Sequence, residues 1–350
     1  MVPIQPSPPA KPRPRDDQLG FGQYFTDHMF VAHYQEGKGW DQGQIMPYGP
    51  FALDPASSVL HYGQALFEGI KAFSQKDGGI AIFRPHFNAE RLRLGAQRLC
   101  LPPVPDATFV DGVKALVKKD ANWMPKSRGT SLYIRPTLIG TEAFLGVRPS
   151  AEAMFFVILS PVGPYYNAGN DSISIWIEKE DLRAAPGGLG HTKAGANYAA
   201  SIRAAQRAKS RGCSQVLWTD STHNFVEEVG TMNLFFRIND KVLTPALNGS
   251  ILGGGTRACC IEILKEGGVL VEERAISLLE IREAWSKGEL LEVFGTGTAA
   301  VISPVDTLVN ETEVWTLPKG FGTTARFLFD EITGMQYGDK ADRFQWLVNV

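Results

Sequence analysis

The sequence predicts a mixed α+β protein of two domains. Three observations support that expectation. The chain has 350 residues, 44% of them hydrophobic, which is enough for one large core or two moderate ones. Strand-like apolar runs and helix-like segments alternate irregularly along it. A Gly/Pro-punctuated stretch (Pro161-Val-Gly-Pro164, Asn167-Ala-Gly-Asn170, Pro186-Gly-Gly-Leu-Gly190) divides the middle, interrupted only by Ser172–Ile177. The expected organisation is a tail over 1–20, a smaller N-terminal α/β domain over 21–164, a linker over 165–185 and a larger C-terminal domain over 186–350.

In chain order, Met1–Arg15 is rich in proline, which forbids an amphipathic transit helix, and it lacks the apolar core of a signal peptide. It reads as a disordered or loosely docked tail. Ile80–Phe83 is a short strand. Arg84-Pro85 then opens a helix to about Leu99, stopped by Pro102-Pro103, and Asp106–Lys119 is a second helix. Ser131–Arg135 and Ala153–Leu159 read as strands. The second half opens with a helix over Asn197–Arg211, with Ile202 and Ala205 on one face and Gly212 as its stop. Strands follow at Gln215–Trp218 and Phe225–Ile238, with an Asn239-Asp240 hairpin into Lys241–Leu243. Gly253-Gly-Gly255 leads into a helix over Thr256–Glu266, and Gly268–Glu273, Leu290–Phe294 and Ala300–Ile302 are further strands.

Composition removes several function classes. A net charge of −2 offers no electrostatic footprint for nucleic acid or an anionic membrane. The four cysteines, Cys100, Cys213, Cys259 and Cys260, have no CxxC spacing, so neither a zinc cluster nor a redox pair is expected. Reduced thiols in a cytoplasmic protein are the simpler reading. No apolar run reaches the length of a membrane span.

Two turns suit a phosphate. Gly253-Gly-Gly-Thr256-Arg257 precedes a helix, whose N-terminal N–H groups and dipole favour an anion. Phe294-Gly-Thr-Gly-Thr298-Ala299-Ala300 ends a buried strand with two hydroxyls beside exposed amides. Neither carries a Walker lysine, so together they suggest a phosphorylated cofactor rather than a nucleoside triphosphate. Arg91 offers a guanidinium that matches phosphate bidentately, although alone it reads as a solvated helix base near Arg84 and Arg93. In Gly190-His-Thr-Lys193-Ala-Gly-Ala-Asn197-Tyr198 a lysine sits among small residues just before a helix. That is what an imine-forming amine needs. Glu227 and Glu228 interrupt an apolar strand. Alternation sends one inward, where it needs a cation such as a protonated pyridine nitrogen or a local arginine.

These residues fall in motifs that resemble one family. Phe67-Glu-Gly-Ile70, Phe83-Arg-Pro85 with Arg91 eight residues after Phe83, Tyr133-Ile-Arg135-Pro-Thr137, Pro161-Val-Gly-Pro-Tyr165, Lys193-Ala-Gly-Ala-Asn-Tyr198, Glu228-Val-Gly-Thr-Met-Asn233 and Gly295-Thr-Gly-Thr-Ala299 look like the branched-chain-amino-acid aminotransferases. These are pyridoxal 5'-phosphate enzymes of fold type IV. The resemblance runs from about Phe30 to the C-terminus. It implies a two-domain, D-amino-acid-aminotransferase-like fold, with a small N-terminal α/β domain and a larger C-terminal mixed, β-barrel-like domain.

The resemblance also implies an activity: transamination of L-leucine, L-isoleucine and L-valine with 2-oxoglutarate to branched-chain 2-oxo acids and L-glutamate. Lys193 resembles the lysine that holds the cofactor as a Schiff base and moves the substrate proton. Glu228 looks like the carboxylate at the pyridine nitrogen, and Tyr198 like the phenol at the cofactor's 3′-oxygen. Arg91, the amides of Gly255 and Thr256, and Thr298 look like the phosphate cup.

Tyr62, Phe67, Tyr133 and Tyr165 resemble an aromatic pocket for an aliphatic side chain, with Arg135 as the partner of glutamate's distal carboxylate. Thr231 and Ala299 look like the turn amides that hold the α-carboxylate. Leu145 and Val147 resemble a loop that, like Tyr62, reaches a neighbouring subunit's site, which implies a homodimer at least. Mammalian members carry a redox CxxC where this chain has Thr298-Ala-Ala-Val-Ile-Ser303-Pro, so thiol switching of that kind is not expected here.

Two other activities share the fold. A D-amino-acid transaminase is expected to use a histidine near the Arg135 strand, and none lies between Leu101 and Gly190. An aminodeoxychorismate lyase would keep the lysine and glutamate without needing the aromatic set. From a different class, a non-catalytic phosphate-ligand binding protein would purify colourless.

Overall fold

The computed structural model describes residues 2–6, 11–164 and 172–350. They form two compact units. The first comprises Met1–Tyr165, Thr192–Ala196 and Met335–Val350, the second Tyr166–His191 and Asn197–Gly334. Two segments expected in a continuous C-terminal domain therefore pack in the first unit. Ala194 bridges Leu66 and the Lys193 carbonyl accepts the Phe67 N–H at 3.2 Å. Leu347–Asn349 pairs antiparallel with Ile80–Phe83. Gly338, at φ +71°, turns the chain after the last helix, but nothing in either segment names its distant strand partner, so a reading by position along the chain could not place it.

The first unit is built on a nine-stranded sheet. Its main path runs Leu347–Asn349, Ile80–Phe83, Ile70–Ser74, Ser131–Gly140, Glu152–Val162, His28–Gln35 and Gly39–Trp40. Gln44–Pro47 pairs with His28–Gln35, and Ala65–Phe67 with Ser131–Gly140. The two long central strands are covered on both faces, which is why Ala153–Leu159 reads as one apolar run rather than an alternation. Helices Pro85–Arg98 and Asp106–Lys119 cover one face, and Phe109 stacks on Phe155 at 5.6 Å. The start of the chain is held at this unit: Ile4 bridges Ile45, and Lys11 Nζ donates to the Thr26 carbonyl at 2.9 Å.

In the second unit six strands close on themselves: Val226–Val229, Gln215–Thr219, Ile173–Ile177, Val301–Val309, Leu290–Gly297 and Met232–Ile238, which pairs back with Val226–Val229. This closure is the barrel expected from the family resemblance. Lys241–Pro245 and Leu270–Arg274 extend beyond Met232–Ile238, and Val314–Thr316 pairs with Val301–Val309. Leu217, Val229, Leu234, Phe236, Val293 and Leu308 share one core with Ile281 of helix Leu278–Ser286.

Two element readings are corrected here. The single strand expected over Phe225–Ile238 is a hairpin folded at Gly230-Thr231, with Glu228 opposite Asn233. Gly230 sits at φ +55°, a conformation that only glycine adopts without strain, so the turn is encoded by one residue inside an otherwise strand-like run. In helix Gly195–Ser210 the buried face is Ala204 and Ala208, while Ile202 is exposed. Trp176 and Trp218 fill the space that a larger helix residue would need.

Candidate active site

Lys193 belongs to the first unit, and its surroundings there are specific. Its Nζ lies 4.8 Å from the centroid of the Phe67 ring. Burial is the largest cause lowering its pKa to about 8. Arg91 and Arg135 add to the lowering, while Glu68 and Tyr133 oppose it. An amine near 8 is about one tenth unprotonated at pH 7, far more than a free lysine, and only that form attacks a carbonyl.

Arg91 is not a solvated helix base. Its Nε and Nη2 donate to the two oxygens of Glu68 at 2.8 and 2.6 Å, and the Asn88 amide donates to the same carboxylate at 2.7 Å. Glu68 is fully buried, so a fork-to-fork ion pair fixes the guanidinium plane. Arg135 is fixed as well. Its Nη2 donates to the Tyr133 hydroxyl at 3.0 Å, and its guanidinium lies 4.7 Å from the Phe67 ring centroid and 5.2 Å from that of Tyr133. The fold thus gathers Phe67, Arg91, Tyr133, Arg135 and Lys193 in one unit. Tyr62 ends the short helix Ser58–Tyr62 at 40% exposure, and Leu145 and Val147 are 66% and 86% exposed, outside that cluster. Tyr165 lies outside the described residues.

The second unit holds the other expected residues. Both Glu227 and Glu228 are buried, so alternation here does not send either to solvent. Their partners differ. Glu228 pairs with Arg183 Nε at 2.9 Å and accepts the Leu252 N–H at 2.7 Å. Glu227 accepts the Ser250 hydroxyl and the Asn248 amide, and burial pushes its pKa up. Glu228 therefore has a cationic partner, whereas the partners of Glu227 are neutral. Arg183 also donates to the Ser250 carbonyl at 2.7 Å and to the Gly190 carbonyl at 3.3 Å. Asn233 donates to the Leu252 carbonyl at 2.7 Å. These bonds set residues 248–254 immediately before helix Gly255–Glu266, whose first residues are Gly255 and Thr256. Tyr198 lies in the first turn of helix Gly195–Ser210. Thr231 occupies the exposed hairpin turn, and Thr298 and Ala299 form the half-buried turn between Leu290–Gly297 and Val301–Val309.

Sequence reasoning missed Phe21, Glu68, Lys71, Asn88 and Arg183. Phe21 meets the Tyr133 ring edge-on at 5.0 Å. Lys71 lies directly across the sheet from Tyr133, and burial lowers its pKa to about 8. Glu68 had a usable signal: it follows the apolar strand Ala65–Phe67 directly, and a carboxylate in so apolar a run demands a cation, the argument that singled out Glu227 and Glu228. Arg183 had none, since it lies in a stretch that reads as linker.

Residues 65–308 match the amino-transferase class IV family. The chain is 48% identical over 342 residues to branched-chain-amino-acid aminotransferase 2 of Bacillus subtilis, covering 97% of this chain and 94% of that protein. It is 43% identical over 338 residues to the branched-chain-amino-acid aminotransferase of Mycolicibacterium smegmatis, covering 95% and 92%. Among solved structures, the Escherichia coli branched-chain amino acid aminotransferase aligns with a TM-score of 0.77 at 25% identity, over 92% of this chain and 98% of that one. The T.th. branched-chain amino acid aminotransferase with pyridoxamine 5'-phosphate aligns at 0.75 and 25% identity, over 95% and 98%.

Proposed function

The chain belongs to the branched-chain-amino-acid aminotransferases of the class IV family, and from that premise we propose that it transfers the amino group of L-leucine, L-isoleucine and L-valine to 2-oxoglutarate, with pyridoxal 5'-phosphate as cofactor. The observation that supports this reading best is the Lys193 amine, lowered to about 8 beside Arg91, Glu68 and Phe67. Two observations favour the cofactor: the Arg91 guanidinium is held in a fixed plane by Glu68, as a phosphate contact requires, and the buried Glu228 has Arg183 as a cationic partner. Lys193 would hold its aldehyde carbon, Glu228 its ring nitrogen and Tyr198 its 3′-oxygen. Arg91, Gly255, Thr256 and Thr298 would hold its phosphate. When bound, the cofactor supplies an electrophilic carbonyl carbon and a conjugated ring that accepts the electron pair released at the substrate Cα.

The protein's own groups do the rest. The unprotonated Lys193 Nζ would take the proton from the substrate Cα and hold it as an ammonium. Glu228, its charge balanced by Arg183, keeps a negative group at the ring nitrogen. Thr231 and Ala299 orient the α-carboxylate. Phe67, Tyr133 and Tyr62 give an apolar aromatic wall to the aliphatic side chain, and Arg135 takes glutamate's distal carboxylate in the opposite half-reaction.

The exposed Tyr62, Leu145 and Val147 support a homodimer in which each chain lends these residues to its neighbour's site. Among the described residues no helix is long and apolar enough to cross a membrane. The four cysteines are free, which fits a reducing, cytoplasmic setting.

The test is a donor panel with 2-oxoglutarate and added cofactor. L-leucine, L-isoleucine and L-valine should yield glutamate, and D-leucine should not. Comparable turnover of the D-isomers, or no amino transfer at all, would overturn the reading.

A further inference from the structure

Residues 11–21 are not held like a loose tail. Lys11 Nζ donates to the Thr26 carbonyl at 2.9 Å and sits 4.4 Å from the centroid of the Tyr48 ring. Two residues on, Arg13 Nη1 donates to the Asn122 carbonyl at 2.7 Å, with its guanidinium 5.5 Å from the buried Trp123 ring. The Asp16 carboxylate accepts the backbone N–H groups of Lys126 and Ser127 at 2.9 and 2.8 Å. Gly163 then donates its N–H to the Gly20 carbonyl at 3.1 Å, and any Cβ at 163 would strike the Leu19 carbonyl oxygen. The next residue is Phe21, whose ring meets Tyr133. Pro12 and Pro14 restrict φ between the anchors, which lowers the entropy cost of ordering the segment.

The anchors therefore hold the backbone on both sides of Asp16, and the segment ends on an apolar ring placed against Tyr133. We propose that this proline-rich strap is a specificity element, its anchors at Lys11, Arg13 and Asp16 positioning Phe21 so that the aliphatic side chain of the substrate is held dry against Tyr133. The inference rests on the assignment of Tyr133 and Arg135 to the substrate side chain. It differs from that assignment in predicting an asymmetry. An isobutyl group gains from an excluded-water wall, whereas glutamate's carboxylate is held by the Arg135 guanidinium and tolerates water nearby.

The experiment uses the full chain loaded with cofactor and follows each half-reaction by the cofactor's spectral change. The variants are Lys11→Ala with Arg13→Ala, Asp16→Ala, Phe21→Ala, and the strap double combined with Phe21→Ala. The strap variants should raise half-saturating leucine about tenfold, the size of one lost apolar contact, with the limiting rate and glutamate saturation within about twofold of the parent. Combining them with Phe21→Ala should do no more than Phe21→Ala alone, because both act through one ring. Trypsin should cut the Arg15–Asp16 bond slowly in the parent and much faster in the strap variants. Faster cutting with normal leucine saturation would sink the specificity role, as would equal losses for leucine and glutamate or fully additive losses. No faster cutting would sink the anchoring itself. A parent inert toward leucine but cut slowly would instead overturn the functional reading on which the specificity role depends.

Discussion

Replacing Glu68 with glutamine should weaken the fold, and the size of the loss follows from its contacts. The carboxylate is fully buried and accepts three hydrogen bonds, two from Arg91 at 2.8 and 2.6 Å and one from Asn88 at 2.7 Å. Glutamine keeps the length but turns one acceptor oxygen into a donor, so one of those N–H groups faces another N–H. It also removes the counter-charge of a guanidinium whose side chain is only 13% exposed. Breaking a buried pair from one side costs about 3–5 kcal/mol, against about 5–15 kcal/mol for the whole of a typical domain's stability. Because Arg91 keeps some access to water, the lower end, about 3 kcal/mol, is expected. Urea unfolding of the cofactor-free protein at pH 7, in phosphate-free buffer, measures it. Added inorganic phosphate should restore part of the loss, since it offers Arg91 a new anion. A loss below about 1 kcal/mol, the scale of an exposed ion pair, would refute the argument that Arg91 depends on a buried partner.

Other expectations are independent of that one. The Lys193 amine should react with an arylating reagent with a midpoint near pH 8 rather than 10.5, and that fast-reacting amine should vanish in Lys193→Ala. Because the folded value is the lower one, the unfolded chain binds more protons between about 8 and 10.5, so stability should rise with pH across that window. Lys71 contributes with the same sign, and a denaturation series on Lys193→Met, Lys71→Met and the double variant should show the rise flattening stepwise. Glu228→Gln should lower turnover at least about a hundredfold, or about 2.7 kcal/mol, because only a carboxylate balances Arg183 and a ring cation. Glu227→Gln should stay within about threefold, since an amide is nearly isosteric with the carboxyl group and its oxygen can still accept from Ser250 and Asn248. Equal sensitivity of the two glutamates would reverse the assignment. Arg135→Met should raise the KM for glutamate and 2-oxoglutarate at least about thirtyfold while moving that for leucine only a few-fold, because an unpaired carboxylate against an apolar wall is costly. Parallel losses would make Arg135 a structural residue of its strand.

Much of this architecture was legible because local chemistry announces it. The Asp106–Lys119 helix, the Pro85 start and the Ile80–Phe83 strand follow from proline placement and apolar period, and the structure keeps their bounds within a residue. The two small-residue turns and the lysine before a helix could be read from chemistry alone. What escaped depends on contacts between distant segments. Glu68 and Arg91 are 23 residues apart, and Arg183 reaches a carbonyl 67 residues away. The return of Leu347–Asn349 to the sheet is a pairing with Ile80–Phe83 that no local signal encodes. Helix Thr323–Gln336 and strand His28–Gln35 are well formed but lie outside the elements expected from the sequence. Punctuation is present in both cases, with Gly320, Gly322 and Gly338 around the helix and Gly37 after the strand, so these two elements were legible in the sequence as well.

The places where local preference is broken are themselves informative. Val301 sits at φ +64°, and among the described residues it is the one β-branched side chain in the left-handed region. Such a conformation costs on the order of 1–3 kcal/mol and persists only where the surroundings over-determine it. Here the register of Gly297 with Val301 closes the turn carrying Thr298 and Ala299, and a relaxed residue at 301 would open it. Arg84, at φ +52°, stands just before the helix that carries Arg91. Its N–H donates to the Trp346 carbonyl at 2.7 Å, and its guanidinium lies over the Phe87 and Trp346 rings at 5.2 and 4.9 Å. Both strained residues therefore border segments that the functional reading assigns to the cofactor's phosphate, one in each unit. Strain that served only chain reversal would be relieved by a glycine at either position, as the turn at Gly230 shows. Keeping a valine and an arginine there instead ties the backbone of each segment to a side chain already fixed by packing: Val301 is 7% exposed, and the Arg84 guanidinium lies over the Phe87 and Trp346 rings.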